Sequence, residues 1–592
     1  MTKIFLATAN LPHFSLFYPQ SRFSVPDLQM SRPLLCARRN GTLRHTDRAE
    51  RLETIKNTYH MLINVHCAKC IGVDAVPVEI EVDLATGIGI HLVGLADTAI
   101  KESLLRTITA LQSMGFRIPG RKIVINLAPA DMHKKGSGYD VPIALGIIAV
   151  SGQREMPKLG EYMIMGELGL DGTVREIPGA LPIVELAVRS GLKGCILPLN
   201  SAMEAVEFED IRIYGVENLE EVLRIVEDGV CDDLLASNRR EWPGGHRISG
   251  ADDEEASGLG GTDSKNAWGY DTMDFSEIIG QDAAKRGLEI AAAGGHHAIL
   301  IGSPGSGKSS LAKAMVSILP ELSLGEAVLT SKVYSVAGKG NPGGGLIRER
   351  PFRAPHYSVS MAALLGGGSD SIVPGEVSLA SGGVLFMDEF CEAPKRTLEA
   401  LRAPMEDRKV SISRLRSKVE FPAEFMLVAA TNPCPCGYYG EGERCTCSPS
   451  QRIAYLGKLS GPIMDRIDLQ LFLRPIDPKK LVNRPRGESS AVVAARVAAA
   501  REIQKARFAG EGVFCNSAMN NRMIEKYCHL SPECKSLLER ILDRMGLSAR
   551  ACNRIIKLAR TIADLDGLPD ILPEHLSEAA GYRFLDKQNI FD

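Results

Sequence analysis

Apolar and charged residues alternate through Pro77-Val78-Glu79-Ile80-Glu81-Val82-Asp83, the period of a half-buried strand. Lys122 to Leu127 (KIVINL) carries more apolar weight and predicts a more buried strand. Ser103 to Met114 and Val141 to Val150 predict helices, the second apolar on every side and therefore a core helix. Together they predict an α/β domain over residues 61–228. Residues 1–60 carry scattered prolines, more basic than acidic side chains and no sustained apolar period. They read as an unstructured extension, a targeting presequence, or upstream sequence translated from an early start codon, with Met61 as the candidate start. Residues 229–273 read as a linker, with Asp252-Asp253-Glu254-Glu255 set among glycines and serines. A regular α/β pattern resumes at Phe275 and predicts a second domain over 274–476. Residues 490–592 predict a helical domain, with apolar residues at helical spacing from Ser548 to Leu565.

Composition narrows the class. A chain of 592 residues exceeds what one core supports and implies about three or four domains. Its 45% hydrophobic and 24% charged residues are ordinary for globular proteins. The longest apolar run, Val141 to Val150, falls short of the roughly 18 residues of a membrane span, so an integral membrane protein is excluded. A net charge of -3 confines any nucleic-acid contact to a local groove or pore. Fourteen cysteines are too sparse for a disulfide scaffold and point to a reducing, cytoplasmic location.

The strongest chemical signal follows the apolar run Ala298-Ile299-Leu300-Ile301. Gly302-Ser303-Pro304-Gly305-Ser306-Gly307-Lys308-Ser309 is the phosphate-loop pattern GxxxxGK[ST], with Ser310 next and a helix expected beyond it. Glycines let the backbone N–H groups curl toward phosphates, and the helix N-terminus adds positive potential. Lys308 suits the β- and γ-phosphates of ATP, and Ser309 suits Mg²⁺. Val384-Leu385-Phe386-Met387 ends in Asp388-Glu389, a Walker B arrangement. Asp388 is the second Mg²⁺ residue and Glu389 the base for the attacking water. A third apolar strand, Phe425 to Ala429, leads to Asn432. That residue reads either as a sensor of the γ-phosphate or as a turn residue before Pro433.

With these residues in view, the sequence resembles the magnesium-chelatase-like branch of the AAA+ ATPases, specifically the YifB/ComM family. The resemblance covers Met61 to about Phe591. Its specific stretches are Pro351-Phe352-Arg353-Ala354-Pro355-His356, Gly375-Glu376-Val377-Ser378-Leu379-Ala380, Asn432-Pro433-Cys434-Pro435-Cys436-Gly437 and Ser460-Gly461-Pro462-Ile463-Met464-Asp465-Arg466-Ile467-Asp468. The resemblance implies a hexameric ring with ATP between subunits, and similarity to helicases that drive branch migration in homologous recombination of incoming DNA, as in competence. Arg466 matches the family's LLDRxD motif and would be an arginine finger reaching the neighbour's γ-phosphate. Arg550 matches the sensor 2 position and would contact phosphate in cis, with Arg554 as the fallback. Segments around residues 350–380 and 410–419 would face the pore. In the second, alternating Arg414, Arg416 and Lys418 read as a phosphate-contacting strand face or as an ordinary charged hairpin face.

Cys434-Pro435-Cys436 and Cys445-Thr446-Cys447 are two C-x-C pairs on one short loop. They read as a tetrahedral zinc site or as free reduced thiols. Cys67 and Cys70 read as packing.

The N-terminal domain resembles the Lon-protease-like (ribosomal protein S5 domain 2-like) fold. Gly136, rather than Ser137, occupies the position of Lon's serine, and Pro182 stands where the lysine base would be, so the domain is expected to be non-proteolytic. Lys134 and Lys135 read as phosphate contacts or as a solvated turn. The expected architecture is therefore α/β: a Lon-like domain, a P-loop AAA+ core and a C-terminal helical lid. The leading function is an ATP-driven DNA motor. Its rivals are a magnesium-chelatase ATPase subunit and an ATP-dependent protease or chaperone; the last lacks an evident catalytic dyad, and aromatics are only 5% of the chain.

Overall fold

The computed structural model describes residues 62–94, 98–132, 134, 136–239, 273–341, 343–368, 372–414, 417–476, 483 and 486–586. The extension expected over 1–60, residues 240–272 of the expected linker, Lys135 and Arg416 lie outside the described residues.

The N-terminal part is a seven-stranded mixed sheet with helices packed on it. In chain order it contains β1 (Ile63–Ile71), β2 (Asp74–Ala85), β3 (Gly89–Val93), α1 (Thr98–Ser113), β4 (Lys122–Ala128), α2 (Asp140–Val150), β5 (Tyr162–Ile164), α3 (Ala180–Arg189), β6 (Gly194–Pro198) and β7 (Arg212–Val216). The spatial order is β3-β4-β2-β1-β5-β6-β7. β2 pairs antiparallel with β1 and β4, and the remaining pairs are parallel. All of α2 is buried, as its unbroken apolar run requires. Gly146 lets this helix lie on the sheet, because a Cβ there would stand 2.5 Å from Val82 Cγ2. Cys67 and Cys70 fall on opposite faces of β1; the first is buried and the second reaches the Gly179 carbonyl at 3.7 Å.

The second sheet contains α4 (Asp282–Gly294), β8 (Ala298–Gly302), α5 (Lys308–Val316), α6 (Leu324–Val336), β9 (Phe352–Arg353), β10 (Val384–Met387), α7 (Arg402–Asp407), β11 (Lys409–Arg414), β12 (Ser417–Pro422), β13 (Met426–Thr431), α8 (Pro449–Leu456) and β14 (Leu469–Leu473). Its five parallel strands run β9-β10-β13-β8-β14. β8, β10 and β13 are buried throughout, the signature of a parallel sheet covered on both faces. Alternate residues serve the two sides. Leu300 and Val428 pack with Val497, Ile555 and Ile562. Ile299, Ile301 and Leu427 pack with Leu385 and Ile463. The first side is closed by α9 (Ser490–Arg507), α11 (Ala549–Leu565) and their neighbours α10 (Pro532–Met545) and α12 (Pro573–Gly581).

Two expectations fail here. β11 and β12 form an antiparallel hairpin in which Arg414 pairs with Ser417 and Ser413 with Lys418. The segment is therefore a hairpin of two strands, as one of the two readings had it, and not one strand with the three cations along a face: positions 414 and 418 belong to different strands at register positions of opposite parity. Lys134 is neither a solvated turn residue nor an available phosphate contact. It is fully buried, and its ammonium donates to the Leu127 carbonyl at 2.8 Å and to the Pro129 carbonyl.

The two sheets meet through α6, which packs on α3. Gly179 N donates to Ser335 O at 2.8 Å, and Lys332 pairs with Glu185. Glu204 lies at this junction near Ser335, with Oε2 buried and unpartnered among the described residues. Burial pushes its carboxyl from the ordinary 4.5 up to about 7; Glu176 adds repulsion and Ser335 opposes the shift. A carboxyl held protonated by folding stabilises the fold fully below about 4.5, and that contribution is lost as pH rises through about 7. Thermal melts between these limits should show wild type losing stability as pH rises and Glu204→Gln lacking that step. Equal slopes for the two proteins would refute the assignment.

Candidate active site

β8 delivers the chain into a loop whose glycines do specific work. Gly305 and Gly307 have φ of +79° and +91°, a left-handed conformation that other residues adopt only under strain. The loop thereby turns its backbone inward and starts α5 at Lys308. The Lys308 ammonium donates to Gly302 O at 2.7 Å, to Ser303 O at 3.0 Å and to Asn432 Oδ1 at 3.2 Å. Burial pulls its pKa down, while the Asp388 and Glu389 carboxylates pull it back. Ser309 Oγ donates to Asp388 Oδ2 at 2.8 Å. Pro304 is exposed and Ser310 half-buried on the first turn of α5. Ser306 Oγ is buried with no hydrogen-bond partner among the described residues.

Three strand ends thus converge. β8 supplies the loop, β10 supplies Asp388 and Glu389, and β13 supplies Asn432. Glu389 has φ of 49°, a strained conformation for a non-glycine residue, of a kind that gathers at functional sites. The donor set fits a nucleotide triphosphate with Mg²⁺. It offers a curled loop, an orphaned hydroxyl, an ammonium hydrogen-bonded among the described residues to neutral oxygens, and a hydroxyl-carboxylate pair of hard oxygen ligands.

Arg466 and Arg550 sit in a separate cluster. Arg466 is 7% exposed; it donates to Pro462 O at 2.7 Å and pairs with Glu406, and its Nε is buried without a partner among the described residues. Burial lowers its pKa, with Arg402, Arg550 and Arg554 adding repulsion. Arg550 is 65% exposed and lies 3.9 Å from the same Glu406. Arg554 is committed elsewhere, to Asp468 at 2.5 Å and Arg466 O at 2.9 Å. Among the described residues, no hydrogen bond or ion pair joins Arg466 or Arg550 to the phosphate loop.

Two residues escaped the sequence reading. Gln281 adopts φ of 59° and donates to Ser306 O at 3.2 Å and Arg474 O at 2.8 Å, tying the phosphate loop to the end of β14. Its only signal was the Gly280-Gln281 break before α4. Glu406 left no signal, since its partners lie far along the chain.

Comparison with known proteins places this site in a family. The description "Magnesium chelatase, subunit ChlI" matches residues 274–481, "Subunit ChlI of Mg-chelatase" matches 80–201, and "Magnesium chelatase, subunit ChlI C-terminal" matches 487–583. The chain is 40% identical over 527 residues to YifB of Escherichia coli K12, covering 88% of this chain and 97% of that protein. It is 39% identical over 526 residues to YifB of Salmonella typhimurium, with the same two coverages. It is 40% identical over 521 residues to competence protein ComM of Haemophilus influenzae, again covering 88% and 97%. The chain belongs to the YifB/ComM family.

For a YifB/ComM protein, a magnesium-chelatase-like AAA+ member, the site implies ATP and Mg²⁺. Lys308, Asp388, Asn432 and Arg466 lie in the first matched segment, and Arg550 lies in the C-terminal one. In the N-terminal sheet Ser137 Oγ bonds the Glu167 carboxylate, and Pro182 is buried in α3. Among the described residues, no helix is long and apolar enough to cross a membrane.

Proposed function

We propose that this chain is an ATP-driven DNA motor that assembles as a homo-hexameric ring in the cytoplasm. In this reading it is a helicase that migrates branched DNA during homologous recombination of incoming DNA, as in natural transformation. The observation that carries the ATPase part is the meeting of Lys308 with Asn432 and of Ser309 with Asp388, from segments far apart in sequence. The DNA part is supported by the similarity to a competence protein. Lys308 would neutralise the β- and γ-phosphates, Ser309 and Asp388 would hold a Mg²⁺ that offsets phosphate charge, Glu389 would take the proton of the attacking water, and Asn432 would orient that water. Arg466 acts as the finger toward the neighbouring subunit, and Arg550 contacts phosphate from the helical lid. The N-terminal domain has the Lon-like fold without peptidase activity, which the Ser137–Glu167 pair and buried Pro182 support.

The test is ATP hydrolysis by the purified chain with and without single-stranded and four-way-branched DNA. Stimulation by DNA that falls with rising salt supports the motor. Hydrolysis indifferent to DNA would favour the second reading, a magnesium-chelatase-type ATPase subunit, which the matched family descriptions recommend.

A further inference from the structure

Directly after Asn432 the chain makes a loop that carries four cysteines and returns to the sheet through α8. Their sulfurs all lie within 4.8 Å of one another. The Cys434–Cys436, Cys436–Cys445 and Cys434–Cys445 separations are 3.4, 3.7 and 3.9 Å. A tetrahedron of thiolates at Zn–S bonds of about 2.3 Å has edges of about 3.8 Å, so these three separations match edges of a ZnS₄ cage, with the Cys447 sulfur close enough to be its fourth corner. They are far from the roughly 2.05 Å of a disulfide, and all four cysteines are free.

Packing does not explain the cluster. Cys434 is buried, but Cys436, Cys445 and Cys447 are only half-buried on a polar surface loop. Two cations flank the loop: Arg444 stands over the Tyr438 ring at 4.2 Å and Arg452 over Tyr439 at 4.4 Å. Arg444 is itself paired with Glu441 at 2.7 Å. With four sulfur ligands and no open position, the site is a closed structural one.

The loop is also wedged against the nucleotide site. Gly437 turns with φ of +86°, and a Cβ there would meet Pro304 Cδ at 2.8 Å and Asn432 Cγ at 3.8 Å. The cage therefore leans on the tip of the phosphate loop and on the side chain that holds Lys308. On the far side, Ser448 caps α8 with a reciprocal Gln451 contact, and Tyr455 of that helix belongs to the same buried cluster as Met387 and Ala429 of β10 and β13.

We propose that Cys434, Cys436, Cys445 and Cys447 bind one Zn²⁺ and that this metal clasp holds Pro304 and Asn432 in position, so that zinc occupancy sets affinity for ATP. The second half rests on the nucleotide reading above. Without metal, the Cys436–Cys445 span is an ordinary glycine-rich loop, and its contact with the phosphate loop is not fixed.

The experiment uses the full chain, purified under reducing conditions with zinc supplied. Elemental analysis should give about one zinc per chain. Growth with Co²⁺ should give the intense visible absorption of tetrahedral cobalt thiolate, and this readout needs no mutant. Cys445→Ser/Cys447→Ser should lose both the metal and at least about tenfold in affinity for a fluorescent ATP analogue, the scale on which disturbed supporting contacts act. Metal-free wild type, stripped with a mercurial and a chelator and then returned to reductant, should show the same loss and recover it on zinc addition. Substoichiometric metal in the wild type, or iron in place of zinc, would overturn the site. Stripped protein that keeps its affinity would overturn the clasp. If the wild type fails to bind the analogue, the nucleotide reading fails and takes the coupling with it, while metal content still decides the site.

Discussion

Lys308→Ala is expected to lower ATP turnover by about 10²- to 10³-fold, the cost of removing one preorganised charge-stabilising donor. The ammonium is held by three oxygens, Gly302 O, Ser303 O and Asn432 Oδ1, within 3.2 Å. Removing it does more than delete a positive charge. It leaves those oxygens, with Asp388 and Glu389 beyond them, facing an incoming polyphosphate without compensation. The loss should therefore appear in affinity as well as in turnover. Folding should suffer little, because burial already works against the charged form of this lysine. Turnover, analogue binding and a thermal melt on the same preparation check the three parts. A variant that melts normally yet hydrolyses ATP at the wild-type rate would remove Lys308 from the mechanism.

Much of this site could be read from the chain because its signals are local. Ala298 to Gly302 is a continuous apolar run entering a glycine pattern, and Val384 to Met387 is an apolar run ending in two carboxylates; each predicts its own geometry within a few residues. The misses share a cause. Lys134 looked solvated because lysines usually are, and only the carbonyls of Leu127 and Pro129 around its ammonium show otherwise. The basic segment is the hairpin one reading expected, but the placement of its cations on one strand face failed, because alternation cannot say where one strand gives way to its antiparallel partner. Gln281 and Glu406 act on residues distant in sequence, and no periodicity records such contacts. The same holds for α6 against α3, where Gly179 and Ser335 meet across more than a hundred residues.

Arg466→Ala is expected to reduce turnover by about 10³-fold or more, as loss of an arginine finger does, while leaving affinity for the ATP analogue near wild type. The side chain is almost buried, its Nε lacks a partner among the described residues, and it pairs with Glu406, with Glu399 also favouring its charge. Other arginines nearby, Arg402, Arg550 and Arg554, make this an uncomfortable place for a cation. Arg466 therefore has reason to leave when an anion of higher charge arrives, and Glu406, half exposed, has little to lose by releasing it. Glu406→Gln weakens that hold and should leave turnover equal to or above wild type, which separates a finger in waiting from a structural ion pair. Mixing the two inactive variants gives the sharper test. A Lys308→Ala subunit still carries Arg466, and an Arg466→Ala subunit still carries Lys308, so a site formed between them regains both groups if the finger works across an interface. Partial recovery of turnover on mixing is expected. Strictly additive residual rates would confine Arg466 to its own subunit, where its charge serves the local pair with Glu406.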